Sequence, residues 1–201
     1  MQGHIFWFVL STLATAYAQR QTLYEAALDA RRMIHNESEG TLLSVYQAGV
    51  APTMELIGTP IGIMEYFADC SSNGSPTMLL LDIAPATRNY QAGSSLTLSL
   101  RDHSYTNPLQ HGRMYMVGGL KKIIDKAETA RVERCFLAKH PDAEIVAPGR
   151  DVHASNFYTM QIEAIYYFGG FGNVSYIGFI PPDVYRSIDL TPMDSLLHFQ
   201  A

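Results

Sequence analysis

Two kinds of hydrophobic spacing run along the chain, and each marks a different element. Leu23, Ala26, Ala27, Ala30 and Ile34 recur every three or four positions behind the capping box Thr22-Leu23-Tyr24-Glu25, and the pattern stops at His35-Asn36 and Gly40. This predicts a first helix. From Thr41 the period becomes two, with apolar runs from Leu42 to Tyr46, Ile61 to Phe67, Met78 to Ile83, Leu96 to Leu100, Met114 to Ile124 and Phe157 to Phe168. These predict six strands. Between them stand Gly58-Thr59-Pro60, Asn73-Gly74-Ser75-Pro76, Gly93-Ser94-Ser95 and Asn107-Pro108, which is turn chemistry. A second helix is predicted from about Asp125 to Lys139, with Val132, Cys135 and Phe136 on one face and His140-Pro141 ending it. The pattern is α+β and mainly β, most economically an antiparallel barrel with helices over its openings. No repeat or linker divides it.

The N-terminus follows a different rule. Ile5-Phe6-Trp7-Phe8-Val9-Leu10 opens an apolar stretch to about Ala16, and Ala16-Tyr17-Ala18 has the small-x-small form of a cleavage site. Residues 1–18 are therefore expected to be a signal peptide cut between Ala18 and Gln19, leaving 19–201 as one domain. Beyond it no run approaches the roughly twenty apolar residues of a membrane helix. The mature chain is expected to enter the secretory pathway, for the medium or a vacuolar or lysosomal lumen.

Composition narrows the partners. With 47% apolar and 16% charged residues the chain is not a disordered one, and a net charge of −5 provides no overall field for gripping nucleic acid. Passage through the secretory lumen gives meaning to Asn36-Glu37-Ser38, Asn73-Gly74-Ser75 and Asn173-Val174-Ser175, which are glycosylation acceptors. The two cysteines, Cys70 and Cys135, either form a disulfide, which chain-entropy arguments value at about 4 kcal/mol, or stay as buried thiols.

The run Gly58-Thr59-Pro60-Ile61-Gly62, the stretch Met64 to Cys70, then Thr87-Arg88-Asn89 and Ala92 to Leu100 resemble the core of CREG-type proteins. Later blocks match in order: Cys135-Phe136 with His140-Pro141-Asp142-Ala143, His153-Ala154-Ser155, and Ile162 to Gly172 continuing into Tyr176 to Pro181. The last of these is most similar to the fungal branch. The resemblance implies secreted glycoproteins built on the pyridoxamine 5'-phosphate oxidase-like, FMN-binding split barrel, six-stranded and paired as homodimers. In the oxidases of that superfamily a Ser-Arg-Lys step holds the flavin phosphate, because a dianion needs cationic donors and a hydroxyl. Thr87 and Arg88 fit the step, whereas Asn89 replaces the lysine, and the strand before it carries Glu65 and Asp69 where the oxidases place basic residues. FMN is thus allowed but not favoured, and a solvated Arg88 is the competing reading.

Other constellations carry less. Gly169-Gly170-Phe171-Gly172 lacks the strand-turn-helix context of a phosphate cradle and reads as a tight turn. His103, His111, His140 and His153 show no metal-ligand spacing, and no nucleophile motif is present. Tyr166, Tyr167, Phe168 and Phe171 read as core and interface before ligand cleft. Two functions remain: a non-catalytic glycoprotein that acts by binding, and an FMN-dependent oxidoreductase.

Overall fold

The computed structural model describes residues 20–107 and 109–190. The cleavage site at Ala18 and Gln19 lies outside them. Helix α1, Leu23–Asn36, begins at the capping box: the Thr22 hydroxyl accepts from the Glu25 amide, and the Glu25 carboxylate accepts from the Thr22 amide. Its buried face is built from Ala26, Ala27 and Ala30, whose small side chains let the helix lie close to the sheet, with Met33 and Ile34.

Seven strands follow: β1 (Glu39–Val45), β2 (Pro60–Ala68), β3 (Thr77–Leu81), β4 (Leu96–Arg101), β5 (Arg113–Lys122), β6 (Ser155–Phe168) and β7 (Ile177–Ile180). They are ordered β3-β2-β1-β4-β5-β6-β7, and β3 also pairs with β6. Six strands therefore close an antiparallel barrel, as the spacing predicts, and β7 is appended outside it. The long β6 makes both possible. One edge carries β5 along nearly its whole length, while the other carries β3 on Ser155–Thr159 and then β7 on Ile165–Phe168. Where β5 and β6 press closest, at a register shift after Val117, a Cβ on Gly118 would overlap the Gln161 carbonyl.

The second helix is α3, Lys126–Lys139, capped by the Asp125 carboxylate, which accepts from the Glu128 amide. Apart from two short 3₁₀ turns at Met54–Leu56 and Pro141–Val146, three elements were not expected from the sequence. They are α2 (Pro85–Gln91), α4 (Pro182–Arg186) and β7 itself, all short and therefore weak in periodicity. Two strands are also shorter than their apolar runs. The run to Ile83 ends at Leu81 because Pro85 starts α2, and Ile83 is exposed. The run to Ile124 ends at Lys122, where Ile123 turns inward to pack under α3.

The core has two parts. The first fills the barrel and joins it to α1 and to Tyr185 of α4. The second lies between α3 and the β3–β6 wall, with Phe136 edge-on to Phe157 at 5.5 Å. A Cys70–Cys135 disulfide closes the second part, joining the end of β2 to α3.

One ion pair ties these parts together. Arg31 lies on the buried side of α1, and its guanidinium donates to the Asp69 carboxylate at 3.1 Å, with side-chain exposures of 5% and 9%. Gly74 is pressed against the same guanidinium at a φ of +73°, so any side chain there would be strained and would overlap Arg31. Tyr185 lies beneath it, 5.7 Å from ring centre to guanidinium carbon, and donates its hydroxyl to the Gly74 carbonyl.

Removing one member of such a pair strands the other charge. Arg31→Ala or Asp69→Ala is expected to cost about 3–5 kcal/mol in urea unfolding at neutral pH, and Arg31→Met with Asp69→Leu to recover much of that loss. Reduction of the disulfide is expected to cost about 4 kcal/mol by the same measurement, since the bond closes a loop with a sequence separation of 65.

Candidate functional site

The three residues of the expected anion step lie in succession on α2. Pro85 occupies the first helical position, where its missing amide costs nothing, and Gly93 at a φ of +104° follows the end. Consecutive helical residues point about 100° apart, so three in a row cannot face one point. Asn89 is fully buried. Its Nδ2 donates to the Ser44 Oγ at 3.1 Å and its Oδ1 accepts from the Gln47 amide at 3.2 Å, which pins α2 to the end of β1. Thr87 is buried too, and its hydroxyl has no partner among the described residues. Arg88 is exposed, with one guanidinium nitrogen 3.4 Å from the Gly49 carbonyl in the β1–β2 loop. A phosphate dianion needs converging donors. Here the hydroxyl is inside, the amide is engaged and the single cation is outside, so the trio does not fit a flavin phosphate.

The open part of the barrel lies elsewhere. β2 meets β3 only at Phe67 and Ala68, so from Pro60 to Tyr66 its edge away from β1 has no strand partner among the described residues. The gap forms a cleft of about 270 Å³ lined by Glu65, Leu79, Leu81, Phe136, Asp142 and Ile145, among others. Tyr66 stacks on His140 at 4.3 Å and donates its hydroxyl to Asp142. His140 is itself buried, with Nε2 2.9 Å from the Phe67 carbonyl oxygen. Burial raises the Glu65 carboxyl from its ordinary value near 4.5 to about 7. The sequence suggests that Glu65 and Asp69 repel anions. Instead Asp69 is paired with Arg31, and burial raises the Glu65 carboxyl toward the neutral range.

The fold and this split place the chain among known proteins. A family description reading "CREG, beta-barrel" matches residues 21–187. The chain belongs to the CREG beta-barrel family. Among solved structures, a heme binding protein from Mycobacterium smegmatis superposes with a TM-score of 0.63 at 18% identity, over 86% of this chain and 66% of that one. A protein of unknown function from Agrobacterium tumefaciens gives 0.63 at 18% over 87% and 65%. A Clostridium acetobutylicum protein of the pyridoxinephosphate oxidase family gives 0.53 at 11% over 81% and 99%. Likeness at these identities concerns the fold. The chain spans slightly under two thirds of the first two. No protein of curated function matches the sequence.

Within this CREG barrel, the remaining expected residues fall on its surface and wall. Asn36 at the end of α1, Asn73 in the β2–β3 connection and Asn173 before β7 are all exposed. Asn73 keeps its turn by accepting at Oδ1 from the Ser75 amide and the Ser71 hydroxyl. Tyr167 is core, whereas Tyr166 stacks on Tyr115 at 5.5 Å and meets Phe179 edge-on at 4.8 Å on the outside of the sheet. Phe171 is solvent-exposed in the turn that Gly170 and Gly172 make with positive φ.

Sequence reasoning missed the Arg31–Asp69 pair. Its signal was available: Arg31 stands four residues after Ala27, on the apolar stripe of α1, where an unpaired cation would be costly.

Glu65 gives the protein a pH dependence. Its folded pKa lies above its unfolded one, so its destabilising contribution is absent below about pH 4.5, grows as pH rises toward 7 and is full above that. Glu65→Gln is expected to raise the thermal midpoint at pH 8, by on the order of 1–3 kcal/mol of stability, and to leave it unchanged at pH 4. Paired melts at the two pH values check this.

Proposed function

We propose that this chain is a secretory-pathway glycoprotein whose split barrel is a binding scaffold, without a catalytic step of its own. The observation that carries the reading is Asn89: the side chain standing where the oxidases have a phosphate-binding lysine is fully buried and bonded to Ser44 and Gln47. It serves to hold α2 on β1.

Three further features support the reading. Each acceptor asparagine is exposed, so Asn36, Asn73 and Asn173 are accessible for glycan attachment. The Cys70–Cys135 bond suits an oxidising lumen. The raised Glu65 pKa makes the fold more stable in an acidic one. The extracellular medium and a vacuolar or lysosomal lumen are the proposed destinations.

The partner implied by the family resemblance is a second copy. The unpaired edge of β2 carries exposed Ile63 and Met64, and the preceding loop exposes Met54, Leu56 and Ile57, apolar side chains suited to burial against another barrel.

A flavin-dependent oxidoreductase is the second reading, and the buried Thr87 hydroxyl, which has no partner among the described residues, is the observation that favours it. In that case FMN would supply the electron transfer when bound.

The two readings part in a visible spectrum of the protein purified from a eukaryotic secreting host, followed by titration with FMN. The scaffold reading expects no flavin band and no saturable uptake. A bound chromophore that Arg88→Ala abolishes would overturn it.

A further inference from the structure

Another cleft, of about 490 Å³, lies between β5–β6, the start of α3, the β2–β3 connection and α4. None of Thr87, Arg88 and Asn89 lines it. Its volume falls within the roughly 300–1,000 Å³ of small-molecule sites.

Its charge is opposite to that of the whole chain. Lys121, Lys122, Arg131 and Arg186 line it, and Glu128 is the one carboxylate among its lining residues, whereas the chain as a whole carries −5. The two lysines end β5, with Lys121 opposite Thr159 and Lys122 opposite Tyr158 on β6. Both side chains are exposed, and neither ammonium group has a hydrogen-bond or ion-pair partner among the described residues. The two arginines are held differently. Arg131 donates through Nη1 to the Cys70 carbonyl at 2.8 Å, and Arg186 through Nη2 to the Ile162 carbonyl at 2.7 Å. Each bond fixes one end of a planar fork and leaves its other N–H groups to donate elsewhere. The disulfide at Cys70 and the sheet at Ile162 are rigid supports for both.

The remaining lining is mostly polar, with Ile123 and Met160 as its apolar members. Ser72, Thr159 and Gln161 contribute donors with no partner among the described residues. Two fixed forks, two mobile ammonium groups and neutral donors around one concavity are what a tetrahedral oxyanion on a hydroxylated carrier requires. Ile123 and Met160 leave room for the apolar face of such a carrier. A nucleic-acid backbone needs a longer basic track than one local cleft.

We propose that this cleft binds a small phosphate or sulfate ester. The inference is independent of the α2 step, with which the cleft shares no residue, while Asn73, a glycan acceptor in the scaffold reading, stands in its lining. The lysines supply attraction, the arginines set the orientation of the anion, and Glu128 opposes it.

Calorimetric titration of the full chain with glucose 6-phosphate, glucose 6-sulfate and glucose tests the proposal. At least one ester is expected to saturate while glucose does not, and which ester saturates assigns phosphate or sulfate. Lys121→Ala with Lys122→Ala is expected to weaken binding at least tenfold with the thermal midpoint unchanged, as both side chains are exposed. Glu128→Gln is expected to tighten binding, and Arg88→Ala to leave it unchanged. Absence of saturation by both esters overturns the proposal. So does equal affinity in the double lysine variant, or uptake that depends on Arg88.

Discussion

The structure depends on keeping one charged pair dry. Arg31 and Asp69 join a helix laid on the barrel to the strand end that leads into the β2–β3 connection, and His35 of the same helix reaches the same carboxylate at 3.4 Å. A charge left in that position without its partner would be costly, so the pair holds only in one arrangement of α1, the connection and α4. Gly74 and Tyr185 are fitted around it, and the disulfide begins one residue beyond Asp69. The ion pair is therefore better understood as fixing a unique assembly than as a large net source of stability, because the desolvation of both groups offsets much of their attraction.

That constraint bears on both clefts. Cys70 holds Arg131 through its carbonyl, so the edge of the basic cleft is set from the same place as the pair. Asp69 also lies at the end of β2, whose free edge opens the apolar gap containing Glu65. Among the concavities of the described residues, these two differ in chemistry, one apolar with a carboxyl sensitive to pH and one mostly polar with net positive charge.

How much of this was legible depended on the range of the interactions involved. α1, α3 and the six barrel strands follow from periodicity and capping, because those signals are local and the elements long. The short α2, α4 and β7 were hidden for the converse reason: Pro85–Gln91 has only two turns, and its role comes from Asn89 reaching a strand about 45 residues earlier. The Thr87-Arg88-Asn89 step was visible as a motif, yet its geometry was not, since neighbours in sequence are not neighbours in direction once the backbone is helical. The basic cleft left almost no trace. Lys121 and Lys122 are adjacent, but Arg131 and Arg186 arrive from separate helices, and only the closed fold gathers them.

Ring closure is a non-local event, for Thr77–Leu81 must find Ser155–Thr159 across most of the chain. Loop-closure entropy makes such pairings slow to nucleate. The Cys70–Cys135 bond ends seven residues before β3 and twenty before β6, so once it forms, the two strands are tethered by short arms in place of a long loop. Oxidation of the two thiols then becomes a timing device for assembly, shortening the search by which the barrel shuts.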